Sequence, residues 1–355
     1  MNNSSRYFFS LISDALWHNY AVFPKDLNET ETEELLALAK QQAVSGLVLD
    51  ALVRNNVRIP KLYIGKVLGR QKTIKQNSNV VNKGVVSLNQ LFCNFGVKYV
   101  VVKGQVVASY YPDPILRQAG DVDYYCDSLN FGKSLKVLKD SWGIKPEREK
   151  SHYHVHCKYD GVIYEGHFML ATLYNKRKDS YWQHLLDNDE GATVNVAGSL
   201  ISTLSPTLHV FYIFLHLFNH LIALGVGLRQ FCDMAVMLHY AKNEIDMNAL
   251  REHLQKFGLE KAYRACGIIL VDYLCLPKES LGYELTDADR KYGKKILEVV
   301  FYRGNMGHYN KRSGFKGWKH KIESSFIKLS HFVKFLPLAP GFSCGWLWYE
   351  TRRSV

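Results

Sequence analysis

Two aspartates one valine apart, Asp121 and Asp123 in KGQVVASYYPDPILRQAGDVDYYCD (103–127), stand at the head of an apolar run that reads as a buried strand. Side chains two apart on a strand point to the same face of the sheet. Two carboxylates placed there repel each other and resist burial, so they do not serve stability. A divalent cation removes that penalty, because Mg²⁺ takes oxygen ligands, is commonly held by one or two carboxylates, and completes its shell with water and substrate phosphate. Such chemistry calls for a third acid from a neighbouring strand. Glu165 in VIYEGHF is the candidate, with Ile163, Glu165 and His167 on one face and Val162, Tyr164 and Phe168 on the other.

Histidines gather around the same strand. Asp160-Gly161 separates YHVHCKY from VIYEGHF and suits a two-residue hairpin turn. Counting outward pairs Tyr159 with Val162, His156 with Glu165 and His154 with His167, which puts His152, His154, His156, Glu165 and His167 on one face. That row could orient Glu165, contact a triphosphate or act as a base. Imidazoles beside carboxylates also suit zinc or manganese better than magnesium, so a metal-dependent hydrolase using this hairpin stays open. Farther on, His216 and His220 lie four apart without an HExxH glutamate, which favours core or supporting histidines, and Arg229 and Asp233 fit a helical ion pair.

The elements that must position these groups alternate in periodicity. Up to about residue 95 the pattern is helical: Asn28 or Thr30 can cap NETETEELLALAKQQAVSGLVLDALV, and Pro60 can open a helix running toward Phe95 with Gly65, Gly69 and Gly84 as weak points. VKYVVV and VDYYC then read as strands around a short QVVASYY helix. SLNFGKSLKVLKDSWG reads as a helix capped by Ser128 and ended by Gly143. From Ser205-Pro206 onward the chain is helical again. These signals divide it into an N-terminal helical region (1–95), a small mixed-sheet core (96–200), a C-terminal helical domain (201–300) and a basic, aromatic tail (301–355). The expected class is α+β, with the sheet flanked by N-terminal helices and a C-terminal helical bundle.

Composition narrows the function classes. With 47% hydrophobic and 22% charged residues over 355 positions the chain buries a sizeable core. The N-terminal stretch is neither a signal peptide nor a span, and seven scattered cysteines without a CxxC pair exclude a disulfide framework or zinc knuckle, so a cytoplasmic protein is expected. The formal charge of +12 is concentrated: residues 61–84 hold Lys61, Lys66, Arg70, Lys72, Lys75 and Lys83 with no acid, and residues 311–355 hold nine Lys/Arg against Glu323 and Glu350. Such stripes attract phosphates of nucleotides, RNA or lipid. The tail FVKFLPLAPGFSCGWLWYE is interrupted by Lys334, Pro337 and Pro340, so it should pack back on the helical domain rather than span a bilayer.

The order Lys103-Gly104, Tyr111-Pro112-Asp113-Pro114, Arg117, Asp121-Val122-Asp123 and Glu165-x-His167 resembles a bacterial branch of the DNA polymerase beta-like nucleotidyltransferase superfamily. His216, His220, Arg229 and Asp233 are similar to that branch's helical H…H…LR…D segment, and GNMG (304–307) resembles a Gly-Asn-Phe-Gly turn of relatives. Two positions depart from the superfamily pattern. Lys103-Gly104, with sixteen residues before Asp121, replaces a Gly-Ser or Gly-Gly pair, and Gly166 stands where an apolar residue usually flanks the third acid. The resemblance implies transfer of an NMP group from an NTP, ATP among the candidates, to an acceptor among RNA, protein or small molecules. Mg²⁺ or Mn²⁺ would sit on Asp121, Asp123 and Glu165, with phosphate on Lys103, Gly104 and Arg117. Asp121→Asn and Asp123→Asn should then each abolish transfer and leave the fold intact or slightly stabilised. A nucleic-acid-binding protein with a dead site is the remaining alternative.

Overall fold

The structure, a computed structural model, describes residues 3–18, 24–144, 147–148, 154–223, 225–305, 329–330 and 332–353, by backbone alone at 147–148 and 349–353. His152, the second half of the GNMG turn and the basic run 311–328 fall outside the described residues. The chain forms two units, Met1–Leu36 with Val44–Ala171 and Leu186–His209, and Ala37–Ala43 with Thr172–Leu185 and Val210–Val355.

In the first unit, α1 (Asn3–Trp17), α2 (Glu29–Gln41, shared with the second unit), α3 (Ser45–Arg54) and α4 (Lys61–Asn94) precede the sheet. Asn28 caps α2: its Oδ1 accepts from Glu31 N at 2.9 Å while Glu31 Oε2 accepts from Asn28 N at 3.1 Å. The sheet follows as β1 (Val100–Val102), α5 (Gly104–Ala108), β2 (Val122–Tyr125), α6 (Ser128–Trp142), β3 (Glu147–Arg148), β4 (His154–Tyr159) and β5 (Val162–His167). Its order is β1-β2-β5-β4-β3, mixed because β2 and β5 run parallel while the other neighbours are antiparallel. Asp127, not Ser128, caps α6, its side chain accepting from Asn130 N at 2.7 Å, and Gly143 ends that helix in the left-handed region.

The two faces of the sheet have different tasks. Val101, Val122, Tyr124, Cys157 and Tyr164 pack against Val85, Leu88 and Phe92 of α4 and Val137 and Leu138 of α6. Each such side chain contributes about 1.5–3 kcal/mol when taken out of water. Period-two alternation sends Asp123, Glu165, His167, His154 and His156 to the opposite face. The expected weak points of α4 do not break it. At Gly84 a β-carbon would crowd Tyr164 Oη at 2.9 Å, and that hydroxyl donates to the Gly84 carbonyl at 3.3 Å, so the missing side chain lets the sheet approach.

Gly166 has the same kind of reason. It pairs across β2–β5 with Tyr124, whose fully buried ring and hydroxyl take the space a β-carbon at 166 would need. The apolar flank usual beside the third acid is thus supplied by the neighbouring strand. Gly166→Ala should cost about 1–3 kcal/mol through overpacking, whereas Ile163→Ala, at a half-exposed position on the other face, should stay within about 0.5 kcal/mol. Thermal unfolding of the two variants checks this, and equal melting temperatures would refute the packing account.

A second hairpin, β6 (Ala192–Val196) and β7 (Ser199–Thr203), completes this unit and was not anticipated from the sequence. The second unit is helical: α7 (Lys176–Asp187), most of α8 (Pro206–Ala223), α9 (Leu228–Tyr240), α10 (Met247–Phe257), α11 (Glu260–Ile268), α12 (Lys278–Leu281) and α13 (Asp287–Arg303). By length and composition α8 could cross a membrane, yet 72% of it is buried within the protein, as a core helix would be. The C-terminal helix Pro340–Arg353 packs back as expected, Phe342 meeting Tyr174 at 5.3 Å and Phe218 at 5.6 Å between ring centroids.

Candidate active site

β1 ends in a strained turn. Lys103 has φ 56° and ψ −147°, a region almost reserved for glycine that costs on the order of 1–3 kcal/mol, and Gly104 follows at φ 46°. The turn is held from behind, where Lys103 N donates to Nε2 of fully buried His209 at 3.1 Å. His209 therefore carries its proton on Nδ1, which lies 3.3 Å from Thr203 Oγ1. Sequence reasoning missed His209; the signal was a histidine in the first turn of a mostly apolar helix. His209→Ala should slow the site's reaction about tenfold or more by freeing a buried donor worth about 1–3 kcal/mol. His209→Gln, whose side-chain oxygen can accept the same bond, should recover part of the rate. Equal loss in both variants would rule out this positioning role.

The turn points Lys103 at Asp123. The β1–β2 register sets Val102 opposite Asp123, and Lys103 Nζ lies 2.7 Å from Asp123 Oδ1. The lysine expected at a phosphate is thus on a carboxylate. His167 donates from Nε2 to the same oxygen at 2.9 Å. Burial pushes the Asp123 carboxyl up, but the Lys103 ammonium and the His167 hydrogen bond outweigh it and hold the group well below the usual carboxylate range. Both contacts fall on Oδ1, which leaves the second oxygen as a donor for a cation.

Glu165 shows the opposite behaviour. The parallel β2–β5 register places it beside Asp123. Burial first, then the negative charges of Asp123 and Asp121, raise its carboxyl to about 8, so near neutral pH it keeps a proton that is shared with Asp121 in a hydrogen bond. Asp121 itself directly precedes β2 and is partly buried. Three neighbouring carboxyl groups, of which Glu165 keeps a proton because of burial and the other two, are a donor set a divalent cation could take, its charge replacing that proton.

The observed β4–β5 register is Tyr159 with Val162, His156 with Glu165 and His154 with His167, as the Asp160-Gly161 turn demands, both turn residues having positive φ. His156 Nδ1 lies 3.3 Å from Glu165 Oε1 and His167 Nε2 3.6 Å from Glu165 Oε2. Arg117 is buried at the end of the Pro114–Leu116 turn, which Asp113 caps by accepting from Ile115 N at 3.2 Å. That turn is anchored by Gln118, whose Oε1 accepts from Ser45 N at 2.6 Å. Gly104 opens a helix of only five residues, so phosphate binding there would rest on the turn's N–H groups rather than on a macrodipole. His216 and His220, with ring centroids 4.4 Å apart on α8, and Arg229 and buried Asp233 on α9 belong to the second unit.

The model of a family described as "Uncharacterised nucleotidyltransferase" matches residues 28–274. The chain is similar to a solved structure of an antigenic nucleotidyltransferase-like protein from Paracoccidioides brasiliensis, at 16% identity and a TM-score of 0.34 over 51% of this chain and 89% of that one. No curated protein matches it.

Proposed function

The chain belongs to the nucleotidyltransferase family whose model spans residues 28–274, and from that premise we propose that it moves an NMP group from an NTP to an acceptor hydroxyl or phosphate, with Mg²⁺ or Mn²⁺ on Asp121, Asp123 and Glu165. The observation that carries this reading is that β2–β5 pairing sets Asp123 beside Glu165 while Asp121 hydrogen-bonds to Glu165, which burial and these two neighbours raise to about 8. Bound there, two divalent ions would clamp the attacking and leaving oxygens of an in-line displacement at the α-phosphorus. The chain's own residues do the rest. Lys103 and His167 keep Asp123 ionised within an apolar sheet. Gly166 and Tyr124 set the depth of the third acid, and Arg117, with a planar fork suited to phosphate, would neutralise departing pyrophosphate.

The acceptor is open among RNA, protein and small molecules. Exposed Lys66, Arg70, Lys72 and Lys75 on the first half of α4 make RNA the first to test. Incubation with each α-labelled NTP, Mg²⁺ or Mn²⁺ and a lysate split into RNA, protein and small-molecule fractions should label one fraction and release pyrophosphate. An RNA acceptor would in addition bind with affinity that falls steeply with salt. Absence of pyrophosphate release with every NTP would overturn the transferase reading in favour of a binder without turnover.

A further inference from the structure

Glu165 divides its two oxygens between different neighbours. Oε2 faces His167, the imidazole bonded to Asp123, whereas Oε1 faces His156 on the other side. His154, two residues before His156 on β4, brings its ring to 4.8 Å from that of His156, nearly perpendicular at 80°. One donor atom each from His154, His156 and Glu165 lies within 4.8 Å of the others. All three residues are partly buried, so they are held by the hairpin yet reachable from solvent.

We propose that His154, His156 and Glu165 form a second metal site, for a borderline cation of the Zn²⁺ class, with Glu165 bridging it to the Asp121/Asp123 group. The bridging role rests on the transferase reading above; the two-histidine, one-carboxylate ligand set does not. The donors decide the metal class. Asp121 and Asp123 offer only oxygen and suit Mg²⁺, while two imidazoles and one carboxylate suit zinc. The spacing agrees: bonds of about 2.0–2.1 Å in a tetrahedral site put neighbouring donors about 3.3 Å apart, and His156 Nδ1 to Glu165 Oε1 is 3.3 Å, at the long end for a hydrogen bond. Register makes the site possible, because His156 lies directly opposite Glu165 and period two carries His154 to the same face. Three protein ligands leave a fourth position for solvent or a substrate oxygen, which would place this ion beside the nucleotide rather than in a closed structural site.

The test uses the full untagged chain, stripped with chelator and dialysed against Zn²⁺ in excess Mg²⁺ without NTP. About one equivalent of Zn²⁺ should be retained. His154→Ala and His156→Ala should each weaken binding on the order of tenfold to a hundredfold, the variant with both changes should retain none, and His216→Ala, on α8 in the second unit, should leave it within about threefold. X-ray absorption of the Zn²⁺-loaded wild-type protein should show two imidazole ligands, a readout that needs no variant to fold. Zinc retained in the variant lacking both His154 and His156, zinc lost in His216→Ala, or an all-oxygen shell would each overturn the proposal. Because no nucleotide is present, these outcomes are independent of pyrophosphate release, which alone judges the transferase reading.

Discussion

Asp121→Asn and Asp123→Asn should each lower nucleotidyl transfer by about a thousandfold or more, roughly 4 kcal/mol of barrier, yet the two variants should part in stability. Asp121 contributes negative charge that raises Glu165. Its replacement removes repulsion, so the cation-free Asp121→Asn protein should melt at the same temperature or slightly above the parent. Asp123 is different: it is the ion partner of Lys103 and the acceptor for His167, and its side chain is only 5% exposed. Asparagine there strands a mostly buried ammonium, at a cost of about 3–5 kcal/mol. The sequence led to the expectation that both changes would be neutral or stabilising; the pairing with Lys103 reverses it for Asp123. Transfer assays and thermal melts of both variants in chelator decide the matter. Retained activity in either variant rejects the ligand roles, and equal melting temperatures reject the Lys103 pairing as a source of stability.

Lys103→Met should destabilise the protein by about 3–5 kcal/mol near neutral pH, and by much less in acid. Methionine keeps a β-carbon and so the same backbone strain, which glycine would relieve. In the native chain the Asp123 carboxyl lies well below its ordinary value. Its contribution to stability is therefore complete above about pH 4 and is lost only as pH falls through the folded value. Without Lys103, His167 alone opposes burial, so the folded carboxyl moves up from its depressed position and the stability it confers above about pH 4 shrinks. The gap between the two proteins, melted in chelator, should therefore widen as pH rises from the strongly acid range, where the native Asp123 carboxyl ionises, toward neutrality. Mg²⁺ should restore more stability to the variant than to the parent, because a cation on Asp123 replaces the missing ammonium. A gap that does not change with pH would mean that Lys103 contributes only its aliphatic stem.

Much of the site was legible because it is written in local rules. Asp123 keeps to one face of β2 by strand periodicity, with Asp121 directly before that strand, and Asp160-Gly161 sets the β4–β5 register, from which His156 opposite Glu165 follows by counting. Turn chemistry and period two involve only a few consecutive residues, so a short stretch suffices to read them. The same holds for the Asn28 cap of α2 and the Ser205-Pro206 start of α8. At the start of α6 two good capping residues are adjacent, and local preference alone does not choose Asp127 over Ser128.

What the sequence by itself determined is therefore which residues face together along each strand, and that acids and imidazoles collect on one such face. Only the tertiary structure decided which of them touch. Parallel pairing of β2 with β5 brings Asp123 beside Glu165 and lets His167, 44 residues away, bond to Asp123. The antiparallel β1–β2 register delivers Lys103 to Asp123, and the strained turn that aims it depends on His209, 106 residues farther along. Gly166 was a departure until Tyr124 was seen filling its space. Strand pairings between distant segments are chosen by the burial and charge compensation of the whole sheet, free energies that no single stretch of the chain contains.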